Sequence, residues 1–285
     1  MKLVTFTHRN EPARIGIWEN DTIVELESPS MLDFIRGGEV MLERARKTLN
    51  GKTARTFSED EVTLLAPIPR PGKVLCSGLN YRSHVEENPS AKFLEDPRFF
   101  AKFPSVVIGP DAEIRHPGQK FLVDYEVELA VVIGREMPQG TPAHAVMDHV
   151  FGYTILNDVS ARWIQFKDNN EMMGKNFDTF APIGPCIVTA DKIKDPSQLS
   201  LSLRLNGKVM QDGTNRDWCF PLPRLLEWLS MAMTLEPGDI ISTGTPAGIG
   251  YFRKPQVFLK PGDVCELEIG PIGVLRNRVV AAEKA

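Results

Sequence analysis

The carboxylates Asp124, Glu126 and Glu128 alternate in Asp124-Tyr125-Glu126-Val127-Glu128, which runs straight into Leu129-Ala130-Val131-Val132-Ile133. Successive side chains of a strand point to opposite faces, so the three acids share one face and Tyr125, Val127 and Leu129 the other. An isolated Glu-x-Glu ordinarily marks the wet side of a half-buried strand. Here the strand turns apolar on both faces directly afterwards, as buried strands do, and stacked like charges disfavour a strand. Carboxylates converging at the mouth of such a strand need a cation. A further acid, Asp158, follows the strand-like residues 152–156 in Asn157-Asp158-Val159-Ser160; taken alone it reads as an Asx turn or helix cap. Together Glu126, Glu128 and Asp158 form an all-oxygen set that suits hard Mg²⁺ or Mn²⁺ rather than zinc, with positions left for substrate oxygens and water.

A second candidate lies in Gly78-Leu79-Asn80-Tyr81-Arg82-Ser83-His84-Val85-Glu86-Glu87. A helix starting near Tyr81 puts His84 and Glu87, at i and i+3, on one face, where the carboxylate orients the imidazole and raises its basicity. The competing reading is a surface histidine beside a solvated acidic pair. Lys175, in Gly174-Lys175-Asn176-Phe177-Asp178, is a candidate fixed cation for a substrate carboxylate. The loop Thr243-Gly244-Thr245-Pro246-Ala247-Gly248-Ile249-Gly250 lets backbone and Thr245 approach a small ligand closely. Neither stretch fits the phosphate loop or the dinucleotide fingerprint, so nucleotide binding gains no support. His144 and His149 do not share a helical face and read as structural or exposed.

These groups need a scaffold. Residues 2–7, 14–18 and 22–25 read as strands and 30–49 as one helix, a small α+β unit spanning 1–65. Pro67, Pro69 and Pro71 make 66–72 a linker. The remainder, 73–285, carries strand-like runs at 73–77, 129–133, 152–156, 202–205, 240–243, 264–269 and 274–280, with one clear helix at 221–233. Strands separated by irregular Gly and Pro loops, without regular alternation with helices, predict an α+β fold on a mixed, mainly antiparallel sheet. Residues 87–110 are a candidate lid, because long loops in compact domains are often functional.

Composition bounds the partners. The 285 residues are 42% hydrophobic and 25% charged, as in compact globular chains. A net charge of −4 with no Lys/Arg cluster speaks against nucleic acid, and no run nears the roughly 20 apolar residues of a membrane span. The polar opening lacks an apolar secretory segment, from which a cytoplasmic location is expected. Cys76, Cys186, Cys219 and Cys265 lie far apart with no Cys-x-x-Cys pair and read as reduced and mostly buried.

Five motifs occur in order: Gly78-Leu79-Asn80-Tyr81 with His84 and Glu87; Asp124 through Ala130; Asn157-Asp158-Val159-Ser160-Ala161-Arg162; Gly174-Lys175-x-Phe177-Asp178-Thr179; and Thr243-Gly244-Thr245-Pro246-x-Gly248-x-Gly250. With them the chain resembles the fumarylacetoacetate hydrolase family over roughly residues 70–280. The resemblance implies a mixed β-roll catalytic domain behind a small α+β N-terminal domain, and a homodimer or homotetramer. It implies Mg²⁺ or Mn²⁺ on Glu126, Glu128 and Asp158, and a His84–Glu87 dyad that activates water. It also implies that Lys175, Tyr81, Arg162, Gln165 and Thr245 line the site of a small keto acid.

The expected reaction is hydrolysis of the C3–C4 bond of a 2,4-diketo acid to pyruvate and a carboxylic acid. The ion polarises the C2 oxygen, water deprotonated by His84 attacks C4, and Lys175 offsets the developing charge. The compact segment 177–185 resembles the bacterial branch acting on 2,4-diketo-3-deoxy sugar acids of the L-rhamnonate or L-fuconate type. Oxaloacetate decarboxylation and keto–enol isomerisation use the same chelated enolate and stay open, as does a catalytically silent metal-binding scaffold or sensor. Paired-carboxylate glycoside hydrolysis is set aside, since a bound cation opposes the protonated acid it needs.

Overall fold

The structure, a computed structural model, describes residues 1–9, 11–51, 54–167 and 170–282. The chain opens with β1 (Lys2–His8), β2 (Arg14–Glu19) and β3 (Thr22–Leu26), then α1 (Met31–Arg36), α2 (Gly38–Asn50), β4 (Thr56–Ser58) and β5 (Val62–Leu65). The central part holds β6 (Val74–Gly78), α3 (Arg82–Glu87), β7 (Arg98–Lys102), β8 (Val107–Ile108), β9 (Ile114–His116), β10 (Val123–Asp124), β11 (Val127–Ile133), β12 (Val150–Asn157) and β13 (Ser160–Ala161). It continues through α4 (Arg162–Phe166), α5 (Glu171–Lys175), β14 (Ala181–Thr189), β15 (Ser200–Leu205), β16 (Lys208–Thr214), α6 (Leu222–Ala232), β17 (Ile240–Ser242), β18 (Val264–Ile269) and β19 (Gly273–Ala281). None of the described helices is long and apolar enough to cross a membrane.

Most strands join one mixed sheet in the order β4-β3-β2-β1-β14-β12-β11-β17-β6-β7, and a smaller one runs β16-β15-β18-β19-β9. The fold is α+β, as expected, with β11 near the centre. Every residue of β11 is buried, because it has strands on both sides, β12 and β17, and covered faces above and below. The β17 to β6 pairing is parallel while β7 returns antiparallel beside β6.

Several expectations need correction. The helix over 30–49 is two helices, because the chain turns at Gly37-Gly38 with Gly38 at φ +56°. The strand through Asp124 and Glu128 is broken: β10 pairs with β13 in a separate ribbon, β11 pairs in the main sheet, and Tyr125-Glu126 makes the step between them. Residues 87–110 are not a free loop, since β7 within them is laddered to β6 from Val74↔Lys102 to Gly78↔Arg98. The unanticipated β14 was hidden by Pro182 and Pro185; its ladder to β12 shifts register between Tyr153 and Ile155, where pairing is already interrupted.

Residues 1–65 share a sheet with the rest of the chain. β1 pairs with β14 through Lys2↔Val188 and Leu3↔Ile187, and Val4, Phe6, Ile23 and Phe57 belong to the same buried cluster as Leu129, Ile155 and Leu267. Cys76, Cys186 and Cys265 are buried free thiols and Cys219 is partly exposed.

Candidate active site

Glu128 stands near the start of β11, where Ser242 of the neighbouring β17 donates its hydroxyl to Oε2 and the Gly244 N–H adds a second bond at 3.2 Å. Glu126 occupies the break before β11, its N–H held by Asn157 Oδ1 at 3.1 Å. Asp158 follows the end of β12 and its N–H donates to the Glu126 carbonyl at 3.0 Å. One oxygen from each of Glu126, Glu128 and Asp158 lies within 4.8 Å of the other two, and all three residues are buried.

Buried cations surround this triad. The Arg162 guanidinium reaches Glu126 Oε1 at 2.6 Å, and Lys175 Nζ bridges Glu126 Oε2 at 2.7 Å and Asp158 Oδ2 at 2.5 Å. Lys102 Nζ reaches the other Asp158 oxygen at 2.6 Å and the Val159 carbonyl at 3.1 Å. Burial opposes ionisation of Glu126, but Arg162 and then Lys175 outweigh it and hold its pKa well below the carboxylate range. Glu128 has no cation of its own among the described residues, so burial pushes its pKa up, reinforced by the charges of Asp158 and Glu126. Burial would also strip the Lys175 proton, yet Asp158 and Glu126 overcome this and its pKa is raised.

The donor set fits a divalent ion. Among the described residues, Asp124, Glu126, Glu128 and Asp158 pair with three cations, Arg162, Lys175 and Lys102, and the excess negative charge falls on Glu128, an oxygen ligand within reach of the other two. Nitrogen and sulfur ligands are absent from the triad, which favours Mg²⁺ or Mn²⁺ over zinc.

A second group lies in the wall of the same cavity. His84 Nδ1 is 2.7 Å from Glu87 Oε1 on the short helix α3, and the other Glu87 oxygen accepts the Gly248 N–H at 2.8 Å. With Nδ1 donating to Glu87, Nε2 is the basic nitrogen, and it has no protein partner among the described residues. Gly248 is at φ +107° and a Cβ there would lie 2.3 Å from the Met210 carbonyl, so only glycine presents this N–H.

The cavity measures about 120 Å³ and its wall includes His84, Arg98, Phe100, the triad, Arg162, Gln165, Lys175 and Thr245. Ligand pockets more often run to about 300–1,000 Å³; this one suits a compact molecule. A larger surface hollow of about 500 Å³, beside Trp18, Leu49 and Pro271, contains none of these groups.

Of the expected lining residues, Arg162, Gln165, Lys175 and Thr245 border the cavity while Tyr81 does not. Tyr81 is fully buried outside the cavity wall and donates to Asn215 Oδ1 at 2.5 Å, packed edge-on to Trp218. Arg162 spends its guanidinium on Asp124, Glu126 and Gln165. Thr245 donates its hydroxyl to the Val127 carbonyl at 2.9 Å and accepts from Gln211 at 2.8 Å, which leaves it as wall rather than hook. Asp124, on the same strand face as Glu126 and Glu128 in the sequence reading, instead accepts from Arg162 and from the Gly250 and Tyr251 N–H groups. Gln165 keeps its amide nitrogen without a partner among the described residues. Lys102 and Ser242 were invisible in sequence: one is a lysine between Phe100 and Phe103, the other a serine in an apolar strand.

Residues 73–280 match the family model for the fumarylacetoacetate (FAA) hydrolase C-terminal domain. The chain belongs to the fumarylacetoacetate hydrolase family. It is 44% identical over 253 residues to human oxaloacetate tautomerase FAHD2A, mitochondrial, covering 88% of this chain and 80% of that one. A solved fumarylacetoacetate hydrolase from Exiguobacterium antarcticum superposes with a TM-score of 0.85 at 37% identity, covering 99% of each chain. Maleylpyruvate hydrolase from Sphingobium sp. SYK-6, solved with manganese (II) ion and pyruvate, superposes at 0.84 with 29% identity, over 99% of this chain and 100% of that one. This is a family of enzymes with both hydrolases and tautomerases, and the acidic triad together with that manganese complex points to a divalent metal.

The cytoplasmic expectation is withdrawn. The human relative is named as mitochondrial, and a missing apolar secretory segment says nothing of organelle import, whose signals are amphipathic and arginine-rich.

Proposed function

We propose that this protein catalyses keto–enol tautomerisation of oxaloacetate or a near relative, with Mg²⁺ or Mn²⁺ on Glu126, Glu128 and Asp158. The observation that carries the reading is one small cavity holding both a free imidazole nitrogen, that of His84, and an oxygen triad for a hard ion. The likeness to an oxaloacetate tautomerase over most of the chain supports it, as does a volume of about 120 Å³. The relatives reported above are not named for a sugar acid, and the likeness to an oxaloacetate tautomerase favours tautomerisation over the hydrolysis first expected.

When bound, the ion polarises the keto oxygen at C2. His84 Nε2 removes a proton from C3, and the electron pair of that C–H bond forms the C2–C3 double bond as the C2 oxygen takes the negative charge. Glu87 stabilises the imidazolium and fixes its ring, itself fixed by the Gly248 N–H. Lys175, kept protonated by Asp158 and Glu126, offsets charge on the oxygen. Transfer of a proton from the imidazolium through solvent to that oxygen yields the enol and restores the base.

The test follows the enol absorbance of oxaloacetate while assaying pyruvate and carbon dioxide, with and without Mg²⁺ or Mn²⁺, for the native protein and His84→Ala. Metal-dependent enol–keto exchange without either product, lost in the variant, supports tautomerisation. Carbon dioxide release with pyruvate would make it a decarboxylase; run in parallel on acylpyruvates, pyruvate from those substrates alone would make it a hydrolase.

A further inference from the structure

Strand register brings a second substrate contact to the cavity. Ala130, Ser242, Cys76 and Phe100 are paired across β11, β17, β6 and β7. Two residues further along β6 and β7, Gly78 pairs with Arg98 on the face of Cys76 and Phe100, and two residues before Ala130 on β11 stands Glu128 on the face of Ala130. Glu128, Gly78 and Arg98 all line the same cavity. Three strand spacings put the Glu128 and Arg98 backbones roughly 14 Å apart along the sheet, and both long side chains reach inward from there. A Cβ built on Gly78 would meet the Arg98 Cδ at 3.9 Å, so the arginine stem runs over that glycine.

Arg98 differs from the other cations in this cavity. Arg162 and Lys175 are buried and committed to two carboxylates each. Arg98 is half-exposed and, among the described residues, its ion pair is with Glu171 Oε1 at 2.9 Å, another residue of the cavity wall. A partly solvated pair of this kind exchanges partners cheaply. Glu171 thus offers Arg98 the same chemical group, a carboxylate, that a substrate entering the cavity would bring.

The geometry points to Arg98 as the receptor for the distal carboxylate of the substrate, with Glu171 as an internal competitor that substrate displaces. The site then selects dicarboxylic 2-keto acids. One carboxylate with its adjacent ketone faces the triad, and the other, three carbon–carbon bonds away in oxaloacetate, lies towards Arg98 across the same cavity. This rests on the tautomerase reading for the reaction, though the binding preference is measurable apart from it.

The experiment compares oxaloacetate with 2-oxobutyrate, in which a methyl group stands where oxaloacetate has its second carboxylate. Binding to the Mg²⁺-loaded protein is measured by calorimetry, and tautomerisation of oxaloacetate in parallel, for native protein, Arg98→Met, Arg98→Lys and Glu171→Gln. Arg98→Met is expected to weaken oxaloacetate about ten- to a hundredfold and 2-oxobutyrate less than twofold, with the kinetic loss in KM rather than kcat. Arg98→Lys should restore part of the preference, and Glu171→Gln should tighten oxaloacetate alone. An Arg98→Met protein that keeps its preference within twofold, or weakens both ligands equally, overturns the assignment. Native protein that prefers oxaloacetate through Arg98 yet does not tautomerise it would sustain Arg98 and sink the proposed reaction.

Discussion

Replacing Lys102 by methionine tests whether the triad is balanced by charge as well as by shape. The lysine has essentially no exposure, its ammonium lies 2.6 Å from Asp158 Oδ1, and methionine keeps most of the stem while removing the charge. Asp158 would then face solvent-free surroundings with one oxygen still on Lys175 and the other unpaired. Breaking a buried pair from one side typically costs about 3–5 kcal/mol, or about 6–20 °C in Tm at about 2–4 °C per kcal/mol. With four carboxylates left facing two cations, the vacated charge also makes a divalent ion bind more tightly. Scanning calorimetry in chelator and across a Mg²⁺ titration reads both effects: the variant should start lower and gain more from the ion than native protein does. A bound ion at a hundred times its Kd adds about 2.7 kcal/mol, enough to recover much of the loss. Asp158→Asn combined with Lys102→Met should be less destabilised than the two single losses added together. A chelator-treated Lys102→Met protein within 1 kcal/mol of native, with an unchanged response to Mg²⁺, would refute charge balance as the role of this lysine.

Other outcomes are equally specific. Glu87→Gln should lower turnover about a hundredfold or more while metal affinity, by calorimetry, stays within twofold; equal losses in both would make Glu87 a structural residue. Glu128 has a pKa raised in the folded protein, so its contribution to stability is full below the ordinary carboxylate range and lost as pH rises towards the raised value. Metal-free protein should therefore lose stability from this group as pH rises, and the Tm gain from Mg²⁺ should grow over the same interval, with proton release on binding; a pH-independent gain would contradict this. Gly250→Ala should destabilise by about 1–3 kcal/mol or more in denaturant melts, because its Cβ would sit 1.7 Å from the Val257 carbonyl and 2.7 Å from the Asp124 carboxylate.

The legible parts of the site were those governed by local periodicity. Glu126 and Glu128 are two residues apart beside an apolar run, and His84 and Glu87 are one helical turn apart, so spacing alone put each pair together. Asp158 was legible only by analogy of chemistry, because what brings it to Glu126 is the antiparallel pairing of β11 with β12, Val127↔Asn157. Lys102 and Arg98 were not legible at all. Both lie on β7, whose partner β6 is some twenty residues earlier, and which reads as part of a loop until the ladder is seen. Tyr81 was carried over from the family resemblance, whereas its hydroxyl is aimed at Asn215, 134 residues away in sequence.

The pairing of β1 with β14 sets a schedule as well as a shape. Lys2 and Val188 are partners, so during synthesis the first strand leaves the ribosome long before the strand it will border. At about 5–20 residues per second the wait is about ten to forty seconds. Meanwhile β1 can ladder to β2 on one edge and to β5 over Thr5–His8 on the other, leaving Lys2 and Leu3 waiting for β14. A product ending before residue 181 would leave Lys2 and Leu3 without their β14 partners, so the first strand is completed only after most of the chain is made.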